Sequence, residues 1–148
     1  MKNRLTIFTK YILDFMFYGG IIVTVCVPFL YRLAFPYNDR IEENYIALSI
    51  ILMICGVFAV LIIYELRKIF KTVINEDCFV MENVTSLKKM GNYSFFIAAT
   101  TLARLFCYIN SAVFVIIIVF VIAGLFSKVL AGVFDQAVTY KLENDLTI

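Results

Sequence analysis

The feature that most constrains this chain is a long, almost uncharged run from Gly91 to Ser127, in which Arg104 is the single charged residue. A helix that crosses a lipid bilayer needs about 20 apolar residues. The run is therefore too long for one crossing helix and long enough for two short ones. The segment Tyr-Ile-Asn-Ser at 108–111 is suited to a turn that divides it. We therefore predict a hairpin that crosses a membrane twice.

The composition of the whole chain supports this prediction. Hydrophobic residues make up 63% of the sequence, charged residues make up 16%, and the mean hydropathy is +0.93. Soluble domains contain about a quarter charged residues, so this composition is typical of a membrane protein. The net charge of +2 is too small to predict direct binding of nucleic acid.

Few residues are suited to catalysis or metal binding. The chain has no histidine, and its four cysteines are spread singly along the sequence at Cys26, Cys55, Cys78 and Cys107. Neither a zinc site nor a disulfide framework is predicted from this spacing. The sequence also has no Ser/His/Asp set, no glycine-rich phosphate loop and no pair of carboxylates at one membrane depth. We therefore predict a protein that is not an enzyme and that holds no cofactor or metal.

The predicted fold is an all-α integral membrane protein, a four-helix bundle that forms one domain over residues 1–148. The four transmembrane helices are predicted at about residues 11–33, 45–64, 90–108 and 111–127. Residues 65–90 form a polar central loop, and residues 128–148 form a helical tail. A long apolar run without a small-residue cleavage site follows Met1-Lys2-Asn3-Arg4, which predicts an uncleaved first span rather than a secretory signal.

The basic residues predict the orientation in the membrane. Short cytoplasmic loops are enriched in lysine and arginine. With four spans, every lysine falls on the cytoplasmic side, and both termini are cytoplasmic. A three-span alternative, in which 91–103 does not cross, exposes Lys128 and Lys141 on the outer side. The four-span topology is therefore favoured, in a bacterial inner membrane as a multi-pass protein.

Three amphipathic segments leave or re-enter the membrane on the predicted cytoplasmic side, at 66–74, 80–91 and 129–138. Each has an apolar stripe at helical spacing that is too narrow for a span and needs a surface to cover it. We predict a cytoplasmic helical layer, from which the tail 142–148 projects. The alternative is a layer that packs only on itself and on lipid.

Arg104 is predicted in the outer third of the third span. An arginine at this depth extends toward the interface or pairs with an acidic residue. One interpretation is an anchoring ion pair with Asp39, Glu42 or Glu43 of the first outer loop. The other is recognition of an extracellular anionic ligand.

Asp14 lies one helical turn after Lys10, which predicts a local ion pair at the inner interface. The alternative is an acid that couples proton movement to transport, as in small four-span multidrug transporters. Glu65 is likewise predicted to be an interface residue, beside Arg67 and Lys68.

Several positions spread over nearly the whole chain form a recognisable pattern. They are Phe79, Glu82-Asn83, Leu87, Gly91, Leu130, Phe134 and the terminal Glu143-Asn144-Asp145-Leu146-Thr147-Ile148. This pattern resembles the bacterial membrane-protein family catalogued as domain-of-unknown-function family 2975, and the terminal segment is its most specific part. The resemblance implies a four-span inner-membrane protein without an established activity. Its setting is similar to that of membrane partners encoded beside a very small helix-turn-helix repressor, which implies sequestration of a regulator at the membrane.

The resulting hypothesis is a non-enzymatic membrane protein that binds a small cytosolic DNA-binding regulator through its central loop and tail. Homo-oligomers are compatible with this hypothesis. The alternative is a small transporter or immunity-type protein that uses Asp14 and Arg104. The residues predicted to bind the regulator are Phe79, Asn83, Leu87, Asn144, Asp145, Leu146 and Ile148.

Overall fold

The computed structural model describes residues 4–34, 42–107 and 109–147. Over these ranges the chain forms helices and no strands. The four long helices are α1 (Arg4–Ala34), α2 (Tyr45–Ile74), α3 (Met81–Arg104) and α4 (Ser111–Leu146). The predicted continuation of the second and fourth apolar runs into amphipathic helix is present, because α2 and α4 are each one uninterrupted helix.

The helix ends follow local turn chemistry. The helix α2 ends before Asn75, and Glu76 adopts the left-handed conformation with φ 61°. The extended residue Val80 precedes α3 and forms no side-chain cap bond. At the start of α4 the Asn110 side chain accepts a hydrogen bond from a backbone N–H of the first turn, as is typical of an N-cap.

Each helix packs antiparallel against the next one along the chain: α1 on α2, α2 on α3, and α3 on α4. The direction follows from contacts that join neighbouring helices, which are Arg67 with Asp14, Glu65 with Ser86, and Lys88 with Asp135. Over the described ranges α1 and α4 do not pack on each other. As a result, α2 and α4 run in the same direction, and α3 returns between them.

The antiparallel order collects the starts of α1 and α3 and the ends of α2 and α4 in one half of the molecule, which we call the lysine-rich half. It contains every lysine in the described part of the chain: Lys10, Lys68, Lys71, Lys88, Lys89, Lys128 and Lys141. The opposite half contains Arg32 and Arg104. This distribution is the one that the sequence predicts for a protein with one cytoplasmic face.

Three helices, α1, α2 and α4, are long and apolar enough to cross a membrane. Large apolar side chains cover the outside of the protein, and on α4 they recur on one face from Val115 through Ile122 and Val129 to Val133. This face is about 27 Å long at 1.5 Å per residue, close to the bilayer core of about 30 Å. The chain is therefore a helical membrane protein.

The helix α3 is less apolar than the other three, and its polar residues lie on its buried face as well as on its exposed face. Asn83, Ser86, Ser94 and Thr101 are all buried. Two of their hydroxyls bond inside the protein: Ser86 donates to Glu65 at 2.7 Å, and Ser94 donates to the Met90 carbonyl oxygen at 2.9 Å. The Asn83 side-chain oxygen is buried without a hydrogen-bond partner in the described part of the chain.

Glycines allow the closest helix contacts. A Cβ at Gly124 of α4 would lie 2.9 Å from the Phe95 ring of α3, and a Cβ at Gly91 would lie 3.1 Å from the Gly124 carbonyl oxygen. At the contact between α1 and α2, a Cβ at Gly56 of α2 would lie 2.6 Å from the Thr24 hydroxyl of α1. Small residues at such crossings are typical of helix association in membranes.

Candidate functional site

The lysine-rich half has its own small core where α2, α3 and α4 meet. Ile69, Leu87 and Ala131 are buried there, one from each helix. Partly buried apolar side chains of α3 and α4 pack around them: Met90, Leu130 and Phe134. This core places the predicted binding residues Asn83 and Leu87 on the inner face of α3.

Glu65 is buried beside this core, with only 3% of its surface exposed. One carboxylate oxygen accepts a hydrogen bond of 2.7 Å from the Ser86 hydroxyl. The ammonium groups of Lys68 and Lys89 lie 3.4 and 3.8 Å from the carboxylate. Two positive charges and a hydroxyl compensate the loss of hydration of this carboxylate. Glu65 lies beside Lys68 as predicted, and α3 covers it.

Asn83 connects three segments of the lysine-rich half. Its side chain is fully buried. The amide nitrogen donates to the Thr72 hydroxyl of α2 at 2.6 Å and to the Cys78 carbonyl oxygen of the connecting loop at 2.7 Å. The Asn83 and Leu87 side chains are both buried in this structure, and their contact with a partner stays a prediction.

Asp14 pairs with Arg67 across helices, and the predicted local pair with Lys10 is wrong. The distance from Arg67 Nε to the Asp14 carboxylate is 2.7 Å. The guanidinium also lies 4.5 Å from the centre of the Phe17 ring, close enough for a cation–π interaction. Antiparallel packing of α1 on α2 brings this arginine to Asp14. Lys10 and Asp14 both line a shallow groove of about 280 Å³ beside the pair.

The last turns of α4 extend beyond the rest of the protein. Val138 is the last buried residue, and every residue from 139 to 147 is exposed. Leu142 and Leu146 continue the spacing of Val138 by four and eight residues, so the stripe that packs α4 on α3 goes on without a cover. They are 56% and 86% exposed. Asn144 and Asp145 are exposed beside them, and the predicted binding residue Ile148 lies outside the described residues.

One ion pair holds this extension to the loop between α2 and α3. Lys141 Nζ lies 2.7 Å from the Asp77 carboxylate. Lys141 is near the end of α4, beyond its apolar part, and its hydrogen bond with Asp77 raises the pKa of the ammonium group. Phe79 lies close by, is 45% exposed and contacts Phe134 at 5.5 Å between ring centres. Phe79 and the tail therefore form an exposed surface at the end of the lysine-rich half.

Arg104 lies in the opposite half, where its guanidinium donates a hydrogen bond of 3.1 Å to the Tyr31 hydroxyl. In the described part of the chain it forms no ion pair, so the predicted pair with Glu42 or Glu43 is absent. The third predicted partner, Asp39, lies outside the described residues. The surroundings of Arg104 are otherwise mostly apolar.

A protein-family model described as "Protein of unknown function (DUF2975)" matches residues 10–148. The chain belongs to the DUF2975 family. No curated protein and no solved structure matches it.

The residues that carry the DUF2975 resemblance meet along the contact between α3 and α4. Leu87 lies in the core of the lysine-rich half, and Leu130 and Phe134 pack against that core. Gly91 faces Lys128, whose side-chain carbons would lie 3.0 Å from a Cβ at this glycine. Much of the family pattern therefore lies where α3 and α4 pack, whereas Phe79, Glu82 and the terminal segment through Thr147 are exposed.

We expect Asn83→Ala to destabilise the contact of α3 with α2 and with the loop that connects these two helices. The change leaves the Thr72 hydroxyl and the Cys78 carbonyl oxygen without this donor, at a cost of about 1–3 kcal/mol in the free energy of unfolding. Asn92→Ala, an exposed position on the same helix, is the matched control. Thermal unfolding in detergent measures the difference. Equal midpoints for the two variants would show that the Asn83 bonds do not stabilise the fold.

Proposed function

We propose that this DUF2975 protein is a non-enzymatic bacterial inner-membrane protein that sequesters a small cytosolic helix-turn-helix regulator. The observation that carries the proposal is the uncovered apolar stripe of Leu142 and Leu146 at the free end of α4. The proposed complex forms at the exposed surface of Phe79 and the tail, with both chain termini in the cytosol.

The helix directions support a four-span topology, in which α3 crosses the membrane in addition to α1, α2 and α4. Because α2 and α4 are parallel, two crossings in the same direction require the chain between them to return through the bilayer. The helix α3 is that connection, and it packs on α2 and α4. Its buried Ser86 and Ser94 hydroxyls are compatible with a crossing because they bond inside the protein.

A reporter fused after Ile148 tests this topology. We expect a fused fluorescent protein that folds only in the cytosol to be bright, and an alkaline phosphatase at the same position to be inactive. Both reporters inserted after Ile109 should give the opposite result, because this turn joins α3 to α4. An active phosphatase after Ile148 would place the tail outside and remove the proposed complex.

The tail carries two exposed acidic residues, Glu143 and Asp145, and Glu82 is exposed at the same end of the molecule, where Lys141 pairs with Asp77. Proteins that bind DNA carry a basic surface. A helix of a small regulator with one apolar stripe and basic flanks is complementary to this surface, because apolar contact provides affinity and opposite charges orient the encounter.

A binding measurement with tail variants tests the proposal. We expect a purified helix-turn-helix regulator to bind the detergent-solubilised protein, and Leu142→Ala with Leu146→Ala to weaken binding at least tenfold. Leu30→Ala with Leu33→Ala makes the same changes at exposed positions in the opposite half and is the control. Unchanged affinity of the tail variant would show that the stripe is not the docking surface.

The alternative of a small transporter has less support. Asp14 is bound to Arg67. It lies about 26 Å along α1 from Tyr31, the residue that accepts a hydrogen bond from Arg104. The two charges therefore do not form one site. We expect Asp14→Asn to leave drug and peptide tolerance of cells unchanged. A loss of tolerance at equal protein abundance would favour the transporter.

A further inference from the structure

A cavity of about 310 Å³ lies between the helices in the opposite half of the molecule. All four helices contribute to its wall, for example Val27 of α1, Cys55 of α2, Ile97 of α3 and Phe120 of α4. The wall is largely apolar, with the hydroxyls of Thr24 and Thr101 and the thiol of Cys55 as small polar groups. Ligand pockets in proteins have volumes of about 300–1,000 Å³, so this cavity suits a slender molecule.

Among the described residues of the cavity wall, Arg104 is the single charged one. One terminal nitrogen donates to Tyr31, whereas Nε is buried without a hydrogen-bond partner in the described part of the chain. A guanidinium has five N–H donors in a planar fork, which suits an oxyanion. A charged group among apolar helices is costly unless it is paired. Its surroundings therefore favour an anionic ligand.

The cavity has a route to the lipid. The helices α1 and α4 both line it but do not pack on each other. A gap between two helices of a membrane protein opens sideways into the bilayer, so the route favours a molecule dissolved in the membrane. An amphiphile that enters in this way buries its chain against Val27 and Phe120 and brings its head to Arg104.

We propose that this cavity binds a single-chain amphiphile with a carboxylate head, whose charge pairs with Arg104. The volume favours one alkyl chain of medium length over a phospholipid with two chains. Pairing with a carboxylate gives charge-assisted hydrogen bonds to the guanidinium. The site lies in the half opposite the tail and is independent of the proposed regulator complex.

Protection of Cys55 from a small thiol reagent tests this inference. The probe is decanoate, and decan-1-ol is the neutral molecule of the same chain length. In nanodiscs, a variant with Cys55 as its single cysteine should be protected by decanoate at a concentration at least tenfold lower than by decanol. A variant with Cys26 as its single cysteine, on the exposed face of α1, should be protected by neither.

Arg104→Gln should abolish the preference for decanoate and leave protection by decanol, whereas Arg104→Lys should retain a preference for the anion. Equal protection of Cys55 by decanoate and decanol in the protein with Arg104 would overturn the proposal without any need for a variant at that residue. Equal protection of Cys26 and Cys55 by decanoate would do the same, because it would show a general effect on the bilayer.

Discussion

Replacing Gly124 with leucine is expected to lower the thermal stability of the protein strongly by forcing α4 away from α3. Even a Cβ at this position would lie 2.9 Å from the Phe95 ring, and the Gly124 carbonyl oxygen already faces Gly91. Added carbons in a well-packed contact cost about 1–3 kcal/mol, because side chains and backbone must shift.

Gly132→Leu is the matched control on the same helix. A Cβ at Gly132 meets no atom within 4 Å. Both changes gain about 1 kcal/mol of helix propensity, so the difference between the two variants isolates the packing cost. Unfolding midpoints in one detergent give this difference. If Gly124→Leu unfolds at or above the midpoint of Gly132→Leu, then close approach of α3 and α4 does not stabilise the fold.

The second large effect is expected for Glu65→Ala. This change leaves the buried Ser86 hydroxyl without its acceptor, and it leaves Lys68 and Lys89 without their shared carboxylate. We expect a loss of about 2 kcal/mol in the free energy of unfolding. A larger loss is not expected, because both lysine side chains are partly exposed and can be hydrated.

Two further variants identify the source of this loss. Glu82→Ala removes an exposed carboxylate from the first turn of α3 and should change stability by less than about 0.5 kcal/mol. Glu65→Gln retains an acceptor for Ser86 and removes the charge. Its free energy of unfolding, measured by chemical denaturation, should therefore lie between those of Glu65→Ala and Glu82→Ala. A Glu65→Ala variant as stable as Glu82→Ala would mean that the cluster does not hold α2 to α3.

Two helix starts, at Tyr45 and Ser111, agree with the predicted spans, whereas α1 and α3 begin before the predicted positions 11 and 90. The apolar run that begins at Tyr45 starts α2, and the polar triplet at 75–77 follows its end. The predicted turn before Ser111 separates α3 from α4, and Asn110 caps the new helix. These features depend on residues close in the chain, since hydrophobic runs and turn-forming side chains act locally.

The candidate sites were less accessible to sequence reasoning. The sequence indicates a regulator-binding surface that includes Asn83 and Leu87, but both are buried under neighbouring helices. It also indicates Arg104 as unusual, whereas the cavity beside that residue depends on side chains from all four helices. The one local signal for the Glu65 cluster was its spacing of three residues from Lys68.

The sequence by itself determined that this chain forms long, mostly apolar helices and that its lysines concentrate toward one side. Only the tertiary structure decided the partners of those charges. Asp14 binds Arg67, 53 residues away, rather than Lys10, and α3 buries Glu65 against Ser86. The physical reason is that helix formation depends on neighbours in the chain, whereas burial and ion pairing depend on which faces meet when the helices pack.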